Sequence, residues 1–178
     1  MTPPSGTSAF QSAIGRVRAA QVAIAGATGW HRLGFAAAAG LFSVLAFAPF
    51  FASPVLFLTL PVLVWLIAPA SEADRSRAGL LRAFKDGWAF GFGFFLAGLF
   101  WVGEAFLVEA EIFGWLLPFA VTLLPAGLAL FYGAAAAVTR AVWRPGLSGL
   151  LVMAVVFASA EWVRGHIFTG FPWNVLGY

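Results

Sequence analysis

The chain has 178 residues, of which 62% are hydrophobic and 10% charged, and its mean hydropathy is +0.93. So apolar a composition excludes an ordinary soluble domain and indicates a membrane protein. The net charge is +3, but the cations form no basic face, so no nucleic-acid partner is expected. The absence of cysteine excludes disulfides, thiolate nucleophiles and thiolate metal sites.

Residues 1–32 are predicted to be a cytoplasmic leader. Residues 1–10 are small, polar and proline-bearing, which predicts a disordered start. The next stretch alternates Arg16 and Arg18 with apolar residues, a pattern that fits either a short helix on the membrane surface or a solvated basic leader.

Apolar stretches predict about five transmembrane helices in an all-α membrane protein. Their approximate bounds are 33–52, 54–70, 87–108, 112–138 and 147–163. Pro49 and Pro54 frame a short uncharged turn, which predicts a helical hairpin, and Pro61 predicts a kink in its second helix. Residues 71–86 hold the densest run of charge, seven of the seventeen charged residues, and are predicted to form a water-exposed loop.

The cations predict the orientation, because Lys and Arg in short loops are retained on the cytoplasmic side. Arg164 is the only cation predicted on the other side, where the acidic Glu109 and Glu111 also lie. We therefore expect a cytoplasmic N-terminus and a periplasmic segment over 164–178. The cations on the predicted cytoplasmic side are Arg16, Arg18, Arg32, Arg75, Arg77, Arg82, Lys85, Arg140 and Arg144.

Small and charged residues within the spans point to packing and to candidate sites. Gly87 and Gly91, continued by Gly98, form a small-residue stripe that predicts close helix packing. Glu104 lies inside or near the outer end of the third span, where a charge needs a partner or a polar cavity, so structural and functional roles are equally open. One helical turn separates Glu161 from Arg164, which predicts an ion pair that either pins the helix exit or binds a ligand.

The inventory of reactive side chains predicts no catalytic residue within the chain. The predicted outer face carries one histidine and no Asp, Lys or Cys, so no hydrolytic triad can be completed there. His31 and His166 fall on opposite sides of the predicted bilayer and cannot share a metal ion. No metal or cofactor is expected.

Two stretches carry a family resemblance. "GWAFGFGFFLAGLFWVGEAF" and, above all, "AEWVRGHIFTGFPWNVLGY" resemble the N-terminal membrane region of bacterial apolipoprotein N-acyltransferases, and "LAFAPFFASPVLFL" fits the same family. The likeness runs from about Leu33 to Tyr178. Its most specific positions are Glu161, Arg164, Gly165, Thr169, Gly170, Phe171, Pro172, Trp173, Gly177 and Tyr178.

The resemblance implies an eight-span membrane bundle of the bacterial inner membrane joined to a periplasmic nitrilase-like domain. In that family a Glu-Lys-Cys set takes an acyl chain from a phospholipid as a thioester and passes it to the amine of a lipoprotein's diacylglyceryl-cysteine. None of that set can be carried over, because the chain lacks cysteine and its sole lysine, Lys85, lies on the predicted cytoplasmic side.

By resemblance, then, the chain is expected to be the front membrane part of such an enzyme, inactive alone. It would present phospholipid donor and diacylated lipoprotein acceptor to the outer surface. The candidate substrate-binding residues are Trp101, Glu104, Glu161, Arg164, Pro172 and Trp173.

Two non-enzymatic alternatives stay open. In a small transporter or channel subunit Glu104 would be a pathway residue, although an odd span count and the lack of a visible inverted repeat argue against this class. A membrane anchor that works by helix packing would need only the glycines.

Overall fold

The structure, a computed structural model, describes residues 6–167 together with 170 and 175. Over these residues the chain forms seven α-helices and five short 3-10 segments and no strand, which confirms the predicted all-α class. The helices are α1 (Gly6–Ala25), α2 (Gly29–Ser43), α3 (Leu56–Ile67), α4 (Arg77–Gly98), α5 (Ala110–Phe113), α6 (Leu117–Ala141) and α7 (Leu147–His166).

The leader is helical over most of its length. The prediction of disorder was wrong for residues 6–10, which begin α1, because the proline pair of the leader precedes them and α1 itself contains no proline. Most of the described side chains of α1 are exposed, while Ile24 packs against the core near its end. Residues 6–25 thus form a helix, and the location of this helix on a membrane surface stays a prediction.

Helices α2 and α3 form the predicted hairpin. Both are shorter than the predicted spans, since α2 gives way to a 3-10 turn at Val44–Ala46 and α3 follows another at Ser53–Val55. The prolines at 49 and 54 account for this, because a residue before proline avoids the helical region. The Ser43 hydroxyl at the end of α2 donates to the Thr59 hydroxyl near the start of α3 at 2.8 Å, so the two helices run antiparallel.

The charged stretch 71–86 is not a loop throughout, and that prediction was wrong. Helix α4 begins at Arg77, where the hydroxyl of the preceding Ser76 accepts a hydrogen bond from the Gly79 N–H at 3.3 Å. The helix accommodates its charges because Arg82 and Lys85 face outward, whereas Asp86 is fully buried against a cation from α2.

Helix α4 is the centre of the bundle and packs against α2 on one side and α6 on the other. The predicted close packing is confirmed for Gly87 and Gly91, which face α6: a Cβ on Gly91 would lie 2.8 Å from the Tyr132 Cβ. Gly93 faces α2 instead, where a Cβ would collide with the Ala37 carbonyl oxygen. The fully buried aromatic residues of α4 near these glycines are Phe90, Phe94 and Phe95.

Two continuous helical stretches are long and apolar enough to cross a membrane. They cover 110–141, with 32 residues, and 147–166, with 20. A third is obtained if α4 and the following 3-10 segment Phe100–Phe106, bent by 52° from it, count as one span. The chain is thus a helical membrane protein with two or three candidate spans among its described residues, and the five-span count and the orientation stay predictions.

Candidate functional site

Glu161 of α7 meets the one buried tyrosine hydroxyl of the described chain. The Tyr132 hydroxyl donates to Glu161 Oε1 at 2.7 Å, and Tyr132 is only 1% exposed while Glu161 is half-buried. Such a bond is short because its acceptor is charged. It fixes the carboxylate of α7 against the middle of α6.

Arg164 enters the same region one helical turn later. Its side chain is 1% exposed, and the guanidinium carbon lies 5.0 Å from the centroid of the Phe95 ring. Phe95 in turn packs edge-on against Tyr132, with ring centroids 5.3 Å apart. A buried cation over an aromatic face gains from the negative ring surface. We call Phe95, Tyr132, Glu161 and Arg164 the α7 polar cluster.

The cluster lies beside the middle of α6 and near the end of α7. Tyr132 lies fifteen residues after the start of α6 and nine before its end, or about 22 Å and about 13 Å along the axis. Glu161 and Arg164 come five and two residues before the end of α7. Charges inside a membrane are expensive and are retained where they face a cavity or a partner. The ion pair predicted between the two residues stays a prediction.

Trp101 and Glu104 form a separate, outlying pair. Both belong to the 3-10 segment Phe100–Phe106, where Trp101 is 49% exposed and Glu104 is exposed. The segment packs on the start of α6, since a Cβ on Gly103 would lie 2.9 Å from Val121 Cγ1. Eleven residues of helix separate Val121 from Tyr132, about 16 Å. The structure thus divides the six candidate residues and does not bring Trp101 and Glu104 to the α7 polar cluster.

Pro172 and Trp173 lie outside the described residues, so their predicted role stays a prediction. The last described part of α7 ends at His166, whose Nδ1 lies 2.7 Å from the Trp162 carbonyl oxygen.

An apolar groove between α3 and α7 leads to Glu161. Its volume is about 440 Å³, and it shares lining residues with a second cavity of about 710 Å³ towards the start of α3. Glu161 is the one charged side chain among the described residues that line either cavity. The groove could accommodate a hydrocarbon chain. Its lining includes Leu60, Leu63, Val64, Met153, Phe157 and Glu161.

A second polar cluster, which sequence reasoning missed, joins α2, α3, α4 and α6. Arg32 Nε lies 3.0 and 2.9 Å from the two Asp86 carboxylate oxygens, and Arg32 Nη2 lies 2.7 Å from Oδ2. Arg140 donates to the carbonyls of Ile67 at 2.9 Å and Leu66 at 2.6 Å, at the end of α3. Arg32 Nη2 also donates to the Leu66 carbonyl. These hydrogen bonds connect four helices. The side chains that form them, Arg32, Asp86 and Arg140, lie in segments that the sequence predicted to be exposed.

One signal could have revealed this second cluster. Arg32 and Asp86 each come directly before an apolar run, and Arg140 lies between apolar residues. In the structure Arg32 belongs to the first turn of α2 and Arg140 to the last turn of α6, while Asp86 lies near the middle of α4. Opposite charges at such places can pair across helices. Two of the nine cations used to predict the orientation, Arg32 and Arg140, are thus buried.

Within the described residues no group of three or more His, Asp or Glu side chains is placed to hold a metal ion. The α7 polar cluster offers a carboxylate, a phenol and a guanidinium, but the chain has no cysteine with which to form an acyl thioester. These residues can bind and orient a polar group at the end of an apolar groove.

The chain is similar to known proteins over most of its length. Residues 39–178 match the family model described as the apolipoprotein N-acyltransferase N-terminal domain. An apolipoprotein N-acyltransferase of Rhodopseudomonas palustris is 51% identical over 152 residues, covering 85% of this chain and 28% of the relative. Those of Brucella suis and Sinorhizobium fredii are 50% and 49% identical, covering 85% and 79% of this chain and 29% and 27% of the relatives. The chain spans little more than a quarter of these relatives' length, and it belongs to the apolipoprotein N-acyltransferase family.

Proposed function

We propose that this chain forms the N-terminal membrane part of an enzyme that transfers an acyl chain from a phospholipid to the N-terminal amine of a diacylglyceryl-cysteine on lipoproteins. The family match carries this proposal. Because the chain has no cysteine, the acyl-accepting nucleophile belongs to another part of the enzyme. The role of these residues is then to receive lipid from the bacterial inner membrane and to present it to that nucleophile.

The α3–α7 groove supports a route for lipid in this proposal. Its lining is apolar along α3 and α7 and changes to a carboxylate at Glu161, beside Tyr132 and Arg164. A lipid tail can lie along the apolar part, where it loses no hydrogen bonds, while a polar head end meets the α7 polar cluster. Glu161 and Arg164 would thus position the lipid, and Trp101, Glu104, Pro172 and Trp173 would line its exit towards the outer surface.

A chimera tests this function directly. The matching N-terminal part of the Rhodopseudomonas palustris relative is replaced by this chain, and acyl transfer from radiolabelled phospholipid to a diacylated lipopeptide is measured in membranes. We expect the chimera to be active and Arg164→Met to lower kcat/KM about tenfold or more, because a hydrogen-bonded charge contributes about 1.5–3 kcal/mol. The matched control is Arg144→Met, an exposed arginine outside α6 and α7.

An inactive chimera with intact membrane insertion would reject the proposed function for this chain. An active chimera in which Arg164→Met and Glu161→Gln both match the unsubstituted protein would keep the function and reject the lipid-positioning role of the α7 polar cluster.

We also propose about five spans, with the N-terminus in the cytoplasm and 164–178 in the periplasm. Most exposed cations cluster before α2 and in the segments 71–85 and 140–144, which supports the orientation. The chain provides a natural cysteine-free background for labelling. A membrane-impermeant maleimide applied to intact cells should label Ala110→Cys and not Ser148→Cys; the reverse pattern would invert the topology.

A further inference from the structure

A cavity between the α1–α2 turn and α4 differs from the apolar grooves of the bundle. Its volume is about 800 Å³, and its lining contains three cations and one carboxylate, a net charge of +2. Asp86 is fully buried and engaged by Arg32, so the charge that reaches the opening comes from the other two cations. These are Arg82 and Lys85, one helical turn apart on α4.

Arg82 and Lys85 form no hydrogen bond or ion pair with another described residue, and both are exposed. Asp86 attracts Arg82 through space, but its carboxylate is bound by Arg32. Two cations beside one another repel, and an anion between them removes that repulsion. The cavity is therefore complementary to a group with a negative charge.

The rest of the lining favours an amphiphilic occupant over a soluble anion. Trp30 is 88% exposed at the mouth, and Trp88 and Leu33 continue the surface towards the apolar part of the bundle. The Trp88 indole N–H is already bound to the Ala126 carbonyl at 3.0 Å, so this ring offers an apolar face to its neighbours. Tryptophan rings next to cations at the end of membrane helices are typical of the headgroup level.

We propose that this cavity binds the headgroup phosphate of an anionic phospholipid, with Arg82 and Lys85 contacting the phosphate and Trp30 and Trp88 flanking the upper part of the acyl chains. The position is distinct from the α7 polar cluster, since ten residues of α4 separate Lys85 from Phe95, about 15 Å along the axis. The lipid held here is bound at the α1–α2 turn and is not the molecule that reaches Glu161.

Binding is measured by native mass spectrometry of the full chain in mild detergent, with added phosphatidylglycerol or phosphatidylcholine. We expect the unsubstituted chain to retain phosphatidylglycerol preferentially. The Arg82→Gln/Lys85→Gln variant should retain it about 25-fold less, because each cation near an anionic headgroup contributes about fivefold. The matched control is Arg77→Gln/Arg144→Gln, which removes the same charge from exposed positions outside the cavity.

The exchange Arg82→Lys/Lys85→Arg keeps the charge and should keep binding, which separates a lost site from a folding defect. Equal retention of phosphatidylglycerol by Arg82→Gln/Lys85→Gln, or an equal loss in the control, would overturn the proposal. So would displacement of the lipid by millimolar inorganic phosphate, because the site would then recognise phosphate alone.

Discussion

Replacing Asp86 by Asn removes one charge from the buried polar cluster without changing its shape. In the structure Asp86 is 0% exposed, and both of its oxygens lie within 3.0 Å of Arg32 Nε. Arg32 itself is only 8% exposed, so bulk water solvates its guanidinium poorly once the carboxylate is lost. The neutral amide keeps one acceptor oxygen, but it replaces the other with an N–H₂ group that points a donor towards the guanidinium.

The expected loss follows from a buried cation without its counter-charge. Removing one member of a buried ion pair typically destabilises a protein by about 3–5 kcal/mol, whereas replacing both members by apolar residues is often close to neutral. Arg32→Met/Asp86→Leu should therefore be more stable than Asp86→Asn. The Leu66 carbonyl keeps a donor in that double variant, because Arg140 Nη2 donates to it at 2.6 Å.

The free energy of unfolding is measured in mixed micelles by circular dichroism, with Glu109→Gln as an exposed acid-to-amide control. We expect Asp86→Asn to lose at least about 3 kcal/mol and the control less than about 0.5 kcal/mol. An Asp86→Asn variant as stable as the control would refute the reasoning. A double variant less stable than Asp86→Asn would show that the contacts of Arg32 with backbone carbonyls, rather than the ion pair, hold the cluster together.

Two further substitutions test the packing and the α7 polar cluster. Gly40→Ala should lower stability by about 1–3 kcal/mol, since the new Cβ would collide with the Phe90 carbonyl oxygen. Gly34→Ala, also in α2 but with no atom within 4 Å, should leave the thermal unfolding temperature equal or higher, because alanine favours a helix more than glycine does. Equal losses in the two variants would contradict the close approach of α2 and α4. Tyr132→Phe should cost about 1.5–3 kcal/mol, because it leaves Glu161 without this donor, and an unchanged unfolding curve would mean that the bond contributes nothing.

Local patterns in the sequence predicted the parts of the fold that depend on neighbouring residues. Apolar runs identified the helices, prolines identified the α2–α3 turn, and the spacing of Gly87 and Gly91 identified the face of α4 that meets α6. Helix bounds were less accurate at the charged end of α4. A charge next to an apolar run is equally compatible with a solvated loop and with a buried helical turn, and only its partner decides between them.

The polar clusters depend on partners that are distant in sequence. Arg32 and Asp86 are 54 positions apart, and Tyr132 and Glu161 are 29 apart. The sequence alone singled out Glu161 and Arg164 as neighbours on one helix, and their role as a site stays a prediction. It could not predict that each would meet an aromatic residue of another helix, because that requires the packing angle and register of α4, α6 and α7.

The hydrogen bonds that Arg140 donates to the end of α3 can form only late in synthesis. The Ile67 carbonyl is synthesised 73 residues before Arg140, the residue that donates to it. At a synthesis rate of about 5–20 residues per second, this carbonyl waits about 4–15 s for its donor. During that interval the Ile67 carbonyl lacks its hydrogen bond from Arg140. The contact between α3 and α6 can form only after the end of α6 has left the ribosome.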